Sequence, residues 1–132
     1  MKRIALISTG GTIEKTYDEL SGVLHNEVSI LDIMLAGLDL RGVRVERLQL
    51  MNKDSLEMSD DDHALIAATA CRATHTHDGV VVVHGTDRLA ATGEKMLVVG
   101  EPIVNPIVLT GAMRPYALRN TDATQNLTES LC

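Results

Sequence analysis

Two short apolar runs, Ile4-Ala5-Leu6-Ile7 and Val80-Val81-Val82-Val83, each stop at a turn that carries glycine and threonine. An apolar run of this length closed by glycine reads as a buried strand ending in a tight turn. The first run leads into Thr9-Gly10-Gly11-Thr12-Ile13, and the second into His84-Gly85-Thr86-Asp87. Glycine reaches backbone conformations closed to other residues and lets a ligand approach closely. The first turn therefore presents Thr12 at the mouth of a sheet, where open α/β folds bind their ligands. Two strand tips that each set a threonine beside a glycine point to hydroxyl chemistry at one shared site.

The stretches between these tips alternate strand with helix. Residues 43–50 alternate apolar and polar, as expected of a strand nearer a sheet edge. Ser59-Asp60-Asp61-Asp62 opens a helix, with Ser59 as the cap and the acids at its positive end. Leu65, Ile66 and Ala70 form the apolar stripe expected of that helix. Residues 87–99 read as a helix closed by Gly100, residues 107–109 as a strand entered after Pro106, and residues 122–132 as a further helix. This order predicts a mainly parallel sheet with right-handed crossovers, in a three-layer αβα domain covering 1–132. Residues 14–26, polar and aperiodic after the first turn, are expected to form a lid. Leu127 and Leu131 keep helical spacing up to Cys132, so the chain is expected to stop inside an element that a longer protein completes.

Several classes are disfavoured. The net charge is −6 and no block of Lys and Arg stands out, so binding to nucleic acid is not expected. The apolar stretches are far too short to span a bilayer, and no signal-peptide core precedes Ser8. Cys71 and Cys132 lack motif spacing and are expected as free thiols in a reducing cytoplasm. His75-Thr76-His77 has no third ligand nearby, so no metal is expected. With only two tyrosines and no Phe or Trp, the core must rest on aliphatic residues. Met34, Met51, Met58, Met96 and Met113 are assigned to it, and His84 is expected to be a hydrogen-bonded structural residue.

A threonine hydroxyl needs a base to become nucleophilic, and its attack on a carbonyl needs donors for the negative oxygen that develops. Backbone amides at Gly11 and Thr12, and at Gly85 and Thr86, can supply those donors. Asp87 can hold a substrate ammonium or orient a base. Ser55 and Asp54 place a hydroxyl and a carboxylate at a third strand tip. Taken alone, Thr-Gly-Gly-Thr reads as a turn or a phosphate loop, and His-Gly-Thr-Asp as a helix start capped by Thr86 or Asp87. The phosphate reading lacks the later glycine of dinucleotide loops and the Gly-Lys of P-loops. Taken together after two apolar strands, the two motifs favour the functional reading.

In this combination the chain resembles the N-terminal domain of bacterial-type L-asparaginases. The resemblance rests on Thr9 to Ile13, on Asp54-Ser55 before Glu57-Met58, on His84 to Asp87, on Gly111-Ala112-Met113-Arg114-Pro115, and on Asp122 with Asn126-Leu127. It implies hydrolysis of L-asparagine to aspartate and ammonia through an acyl-enzyme, with no metal or organic cofactor. Thr12 would be the nucleophile, Thr86 and Asp87 the supporting pair, and Tyr17 the lid tyrosine. Gly11, Ser55, Gly85 and Asp87 would hold the substrate, Asp87 at the α-ammonium and Ser55 at the α-carboxylate. It also implies a cytoplasmic homo-oligomer acting on a small molecule, with no membrane or nucleic-acid partner.

The chain departs from the family pattern in places. The family's lysine partner of the second threonine is expected at a position beyond Cys132, and the family's usual C-terminal domain is not expected within these 132 residues. Val23 follows Gly22 where the lid tyrosine is usual. Arg88 and Leu56 replace a threonine and an amide or hydroxyl residue. These departures leave a second expectation open: an asparaginase-like domain that binds a small amino acid with little or no catalysis.

Overall fold

The structure, a computed structural model, describes residues 1–15 and 30–132. Four parallel strands lie in the order β2-β1-β3-β4, with β1 Lys2–Ser8, β2 Val43–Gln49, β3 Gly79–Val83 and β4 Ile107–Thr110. Four helices connect or follow them: α1 Ile30–Ala36, α2 Asp60–Ala73, α3 Leu89–Met96 and α4 Ala123–Leu131. Short 3-10 turns over Thr12–Glu14 and Ser55–Glu57 follow β1 and β2.

The sheet has helices on both faces, and the strand sequences show why. Ala5, Ile7, Val80 and Val82 face one side, where they pack with Ile66, Ala67, Ala70, Cys71 and Met96 from α2 and α3. Leu6, Val81 and Val83 face the other, against Leu31 and Met34 of α1 and Ala123, Leu127 and Leu131 of α4. Strands apolar at every position are what a sheet covered on both sides requires. Every residue of β3 is buried, whereas β2 at the sheet edge has none. The three-layer α/β arrangement expected from the sequence is the one observed.

The connections change direction between β1 and β3. From β1 the chain crosses to β2 on one side; from β2 it returns past β1 to β3 on the other. The strand tips are level, since Ser8 pairs with both Gln49 and Val83, and Val83 with Thr110. The carboxyl ends of β1 and β3 are therefore the point where the strand order reverses, the position open α/β sheets use for ligands.

The structure corrects several local expectations. On α2 the stripe is His63, Ile66, Ala67, Ala70 and Cys71, a spacing of i, i+3, i+4, i+7 and i+8. Leu65 stands outside it and is 47% exposed. A histidine takes the first buried position because Thr92 of α3 meets its ring there. Helix α3 is shorter than residues 87–99. Arg88 sits at φ −121°, ψ 17°, outside the helical region. At the other end Leu97 and Val98 donate to Glu94 and Lys95, three residues back, so the chain tightens before Gly100. Met113 is 72% exposed on the loop after β4 and fills no core space, while Met34, Met58 and Met96 are buried. Cys71 and Cys132 are free thiols, the first buried and the second exposed.

Candidate active site

The loops after β1, β2, β3 and β4 meet at the carboxyl end of the sheet, and glycines let them meet at backbone distance. Gly10 and Gly11 hold φ values of +108° and +90°, which residues with a Cβ rarely adopt. A Cβ on Gly10 would lie 2.5 Å from Lys53 N and O, and one on Gly11 would lie 2.6 Å from Gly85 N. A Cβ on Gly85 would in turn fall 2.8 Å from Ser55 Oγ. Gly111 lies against the His84 carbonyl and the Thr86 methyl. The Gly11–Gly85 contact puts Thr12 and Thr86 each one residue away from the point where the two loops touch.

Hydrogen bonds fasten this cluster from below. Thr9 donates its N–H and its hydroxyl to the Val83 carbonyl, at 3.1 and 2.7 Å, and its own carbonyl accepts Lys53 N–H at 2.9 Å. Thr9 thereby ties the ends of β1 and β3 to the segment that follows β2. Ser55 is fully buried, and its Oγ accepts the N–H of Arg88 at 3.2 Å. Asp54 caps the turn after β2 by accepting Leu56 N–H at 3.0 Å. The Gly111–Pro115 loop hangs on Asp122, whose carboxylate accepts Met113 N–H at 2.9 Å and Arg114 N–H at 3.0 Å. Asn126 joins that carboxylate to the Gly111 carbonyl. These bonds to its charged form hold the Asp122 carboxyl below its ordinary range.

Thr12 is half-buried, and Thr86 and Asp87 are exposed. Helix α3 begins without a side-chain cap, so neither Thr86 nor Asp87 is spent on capping it. This removes the helix-start reading of His-Gly-Thr-Asp. The other candidates differ in access: Ser55 has its hydroxyl turned into the loop contact, and Gly85 is buried with it. Tyr17 and residues 16–26 of the expected lid lie outside the described residues. Lys53 pairs with Asp62 at 2.8 Å. Lys95 lines a shallow groove with Asp60, Arg88 and Glu94 on the outer side of α3. Among the described residues, no three of His, Cys, Asp and Glu gather as a metal site.

Two features were not anticipated from the sequence. Glu14, two residues after Thr12, folds back so that its carboxyl accepts Gly10 N–H at 2.6 Å. Burial pushes this carboxyl up to about 7, against the opposing pull of the Gly10 bond and the nearby Arg47 guanidinium. Arg47 is itself paired with Asp32 of α1. Beneath the second loop, His63, Thr92 and His84 form a buried chain of hydrogen bonds. Glu14 left a trace in the sequence, an acid four residues after Gly10. His63 and Thr92 left none, being 29 residues apart.

The Asparaginase, N-terminal family profile matches residues 3–132. The chain belongs to the asparaginase family. It is 34% identical to the L-asparaginase of Thermococcus kodakarensis, covering 98% of this chain and 39% of that protein. A solved structure, the thermostable L-asparaginase from Thermococcus kodakarensis, superimposes with a TM-score of 0.79 at 30% identity, again over 98% of this chain and 39% of the other. It is also 30% identical to a glutamyl-tRNA(Gln) amidotransferase subunit of Methanobrevibacter smithii, covering 98% of this chain and 30% of that protein. This asparaginase-family domain thus spans between about a third and two fifths of the relatives it matches.

Proposed function

We propose that this domain hydrolyses the side-chain amide of L-asparagine, giving L-aspartate and ammonia. The observation that carries the reading is the backbone contact between Gly11 and Gly85, which sets two threonine-bearing loops side by side at the carboxyl ends of β1 and β3. Thr12 Oγ attacks the amide carbon as its proton passes toward the Thr86–Asp87 pair. The oxygen that becomes negative is met by backbone N–H groups of the two glycine turns; donors so placed are each worth roughly a hundredfold or more in rate. The C–N bond then breaks, and ammonia leaves with the proton. Water hydrolyses the resulting ester and restores the Thr12 hydroxyl. Asp87, exposed at the rim, pairs with the α-ammonium of the substrate. Ser55, expected from the sequence at the α-carboxylate, is buried and contributes by holding the Arg88 backbone and so the loop. Tyr17 completes the reading as the lid residue.

The reading extends to a homo-oligomer in the cytoplasm, with no membrane or nucleic-acid partner. No helix among the described residues is long and apolar enough to cross a membrane.

The likeness to an amidotransferase component supports a second reading, in which the same amide cleavage supplies ammonia to a partner. A third is binding of a small amino acid without turnover. Ammonia release from asparagine, glutamine and related amides separates them. Release from asparagine that is lost in Thr12→Ala supports hydrolysis. Calorimetric binding without release supports the binding domain, and release only in the presence of a partner protein supports the amidotransferase role.

A further inference from the structure

Behind the second threonine loop lies a buried relay whose hydrogen-bond direction is fixed by its ends. His84 Nδ1 is 2.7 Å from the Gly85 carbonyl, which only accepts, so Nδ1 carries the proton. Burial and the neighbouring His63 lower the pKa of His84, so its ring is neutral near pH 7 and Nε2 is an acceptor. Among the described residues the partner at Nε2 is Thr92 Oγ1, at 2.8 Å, which therefore donates its single proton there. The remaining lone pairs of Thr92 face His63 Nδ1 at 2.6 Å, so His63 must donate. Its Nε2 is then a bare acceptor, and this is the atom that has no partner among the described residues. All three side chains are buried, and the two rings stack with centroids 5.9 Å apart.

The relay ends at a peptide that matters for the proposed chemistry. The Gly85 carbonyl and the Thr86 N–H belong to one planar trans peptide and point in opposite directions. Anchoring the carbonyl inward on His84 therefore aims the Thr86 N–H away from the relay, to the exposed side of the loop. We propose that Thr92 and His63 are positioning residues that hold His84 in its Nδ1–H form and so orient the Thr86 N–H toward the developing oxyanion. This rests on the amide-hydrolysis reading for its catalytic consequence, but the orientation itself does not.

Reversing the relay has a defined cost. A proton added at His84 Nε2 would turn the Thr92 hydroxyl toward His63 Nδ1. His63 would then carry its proton on Nε2, a buried donor without an acceptor, which is the more costly orphan. His63 is faced by Asp60 and Asp62 from α2, by Arg88 just before α3, by Lys95 of α3, and by His84. Burial and Arg88 hold its pKa down against the two aspartates.

The test combines imidazole nitrogen NMR with kinetics on the 132-residue chain. Both histidines are expected as neutral Nδ1–H tautomers at pH 7, the form less common for free histidine. Thr92→Val keeps the side-chain shape and removes the hydroxyl. It is expected to shift the Thr86 amide resonance and to lower kcat by roughly ten- to a hundredfold with KM little changed, as misplaced catalytic groups do. Thr92→Ser restores the hydroxyl and is expected to recover most of both, whatever happens to stability. An Nε2–H or charged His84 in the unmutated chain, or a Thr92→Val chain with an unmoved Thr86 amide, overturns the proposal. So does a Thr92→Val chain that is folded and keeps full kcat. Should the unmutated chain release no ammonia, the hydrolysis reading fails, and the tautomers and the Thr86 amide alone decide whether the relay orients that peptide.

Discussion

Gly11 rests directly on Gly85, so close that a Cβ on Gly11 would sit 2.6 Å from Gly85 N and 2.7 Å from its Cα. The atoms that a Gly11 Cβ would meet are all backbone, so no side chain can turn aside for it. Gly11→Ala is expected to part the two loops and to lower ammonia release at least about a hundredfold, since a misplacement of about 1 Å can cost that much. Gly42→Ala is the matched control. Gly42 also has positive φ, +73°, but a Cβ there meets nothing within 4 Å. It is expected to lose only about 1–2 kcal/mol of stability, the cost of left-handed backbone in a residue with a Cβ, and to keep its activity. Equal activity loss in the two variants would show that strain, not loop contact, matters.

Glu14 gives the fold a pH dependence of unusual sign. Its carboxyl is raised from 4.5 in the unfolded chain to about 7 in the folded one. Between those values the folded state holds a proton that the unfolded state has released, so stability from this group falls as pH rises. It is fully present below pH 4.5 and lost by about pH 7. Glu14→Gln keeps an oxygen for the Gly10 N–H and cannot ionise. Its melting temperature is expected to exceed that of the unmutated chain above pH 7, with the gap closing toward pH 4.5. A gap independent of pH would contradict the burial of an ionisable carboxyl at this turn.

Asp122 acts in the opposite sense. Backbone donors at Met113 and Arg114 lower its carboxyl from 3.8, so its hold on the loop is complete above that pH and lost as pH falls through the lowered value. Asp122→Ala is expected to speed hydrogen exchange at the Met113 and Arg114 amides by about tenfold at neutral pH, as loss of a charged acceptor implies. Exchange in β3, buried throughout, should change little. Unchanged protection at both amides would mean that the loop is held by other contacts.

Much of this architecture is readable in the sequence, for reasons particular residues make plain. Val80 to Val83 announce a strand buried on both faces because no polar residue interrupts them. Ser59 and Asp62 form a reciprocal capping box, with Asp62 N–H bound to Ser59 Oγ at 3.1 Å and Ser59 N–H bound to Asp62 at 3.0 Å. That helix start is local chemistry, hence legible. The two threonine loops are legible because each follows an apolar strand. Long-range pairing is what escapes. Leu65 is more apolar than His63, so hydropathy favours Leu65 for the core, yet only His63 faces Thr92 and His84. Residue type assigns Met113 to the core, while its place is fixed by Asp122, nine residues on. The fold-back of Glu14 onto Gly10 has no periodic signature at all.

If Thr12 attacks an amide held between these loops, the ester it forms can be trapped. Rapid acid quenching during asparagine turnover, followed by peptide mass analysis, tests this most directly. An aspartyl ester on the peptide carrying Thr12, absent from Thr12→Ala and accompanied by loss of ammonia release in that variant, is the expected result. Undiminished ammonia release by Thr12→Ala, or an ester carried by another residue, would contradict it.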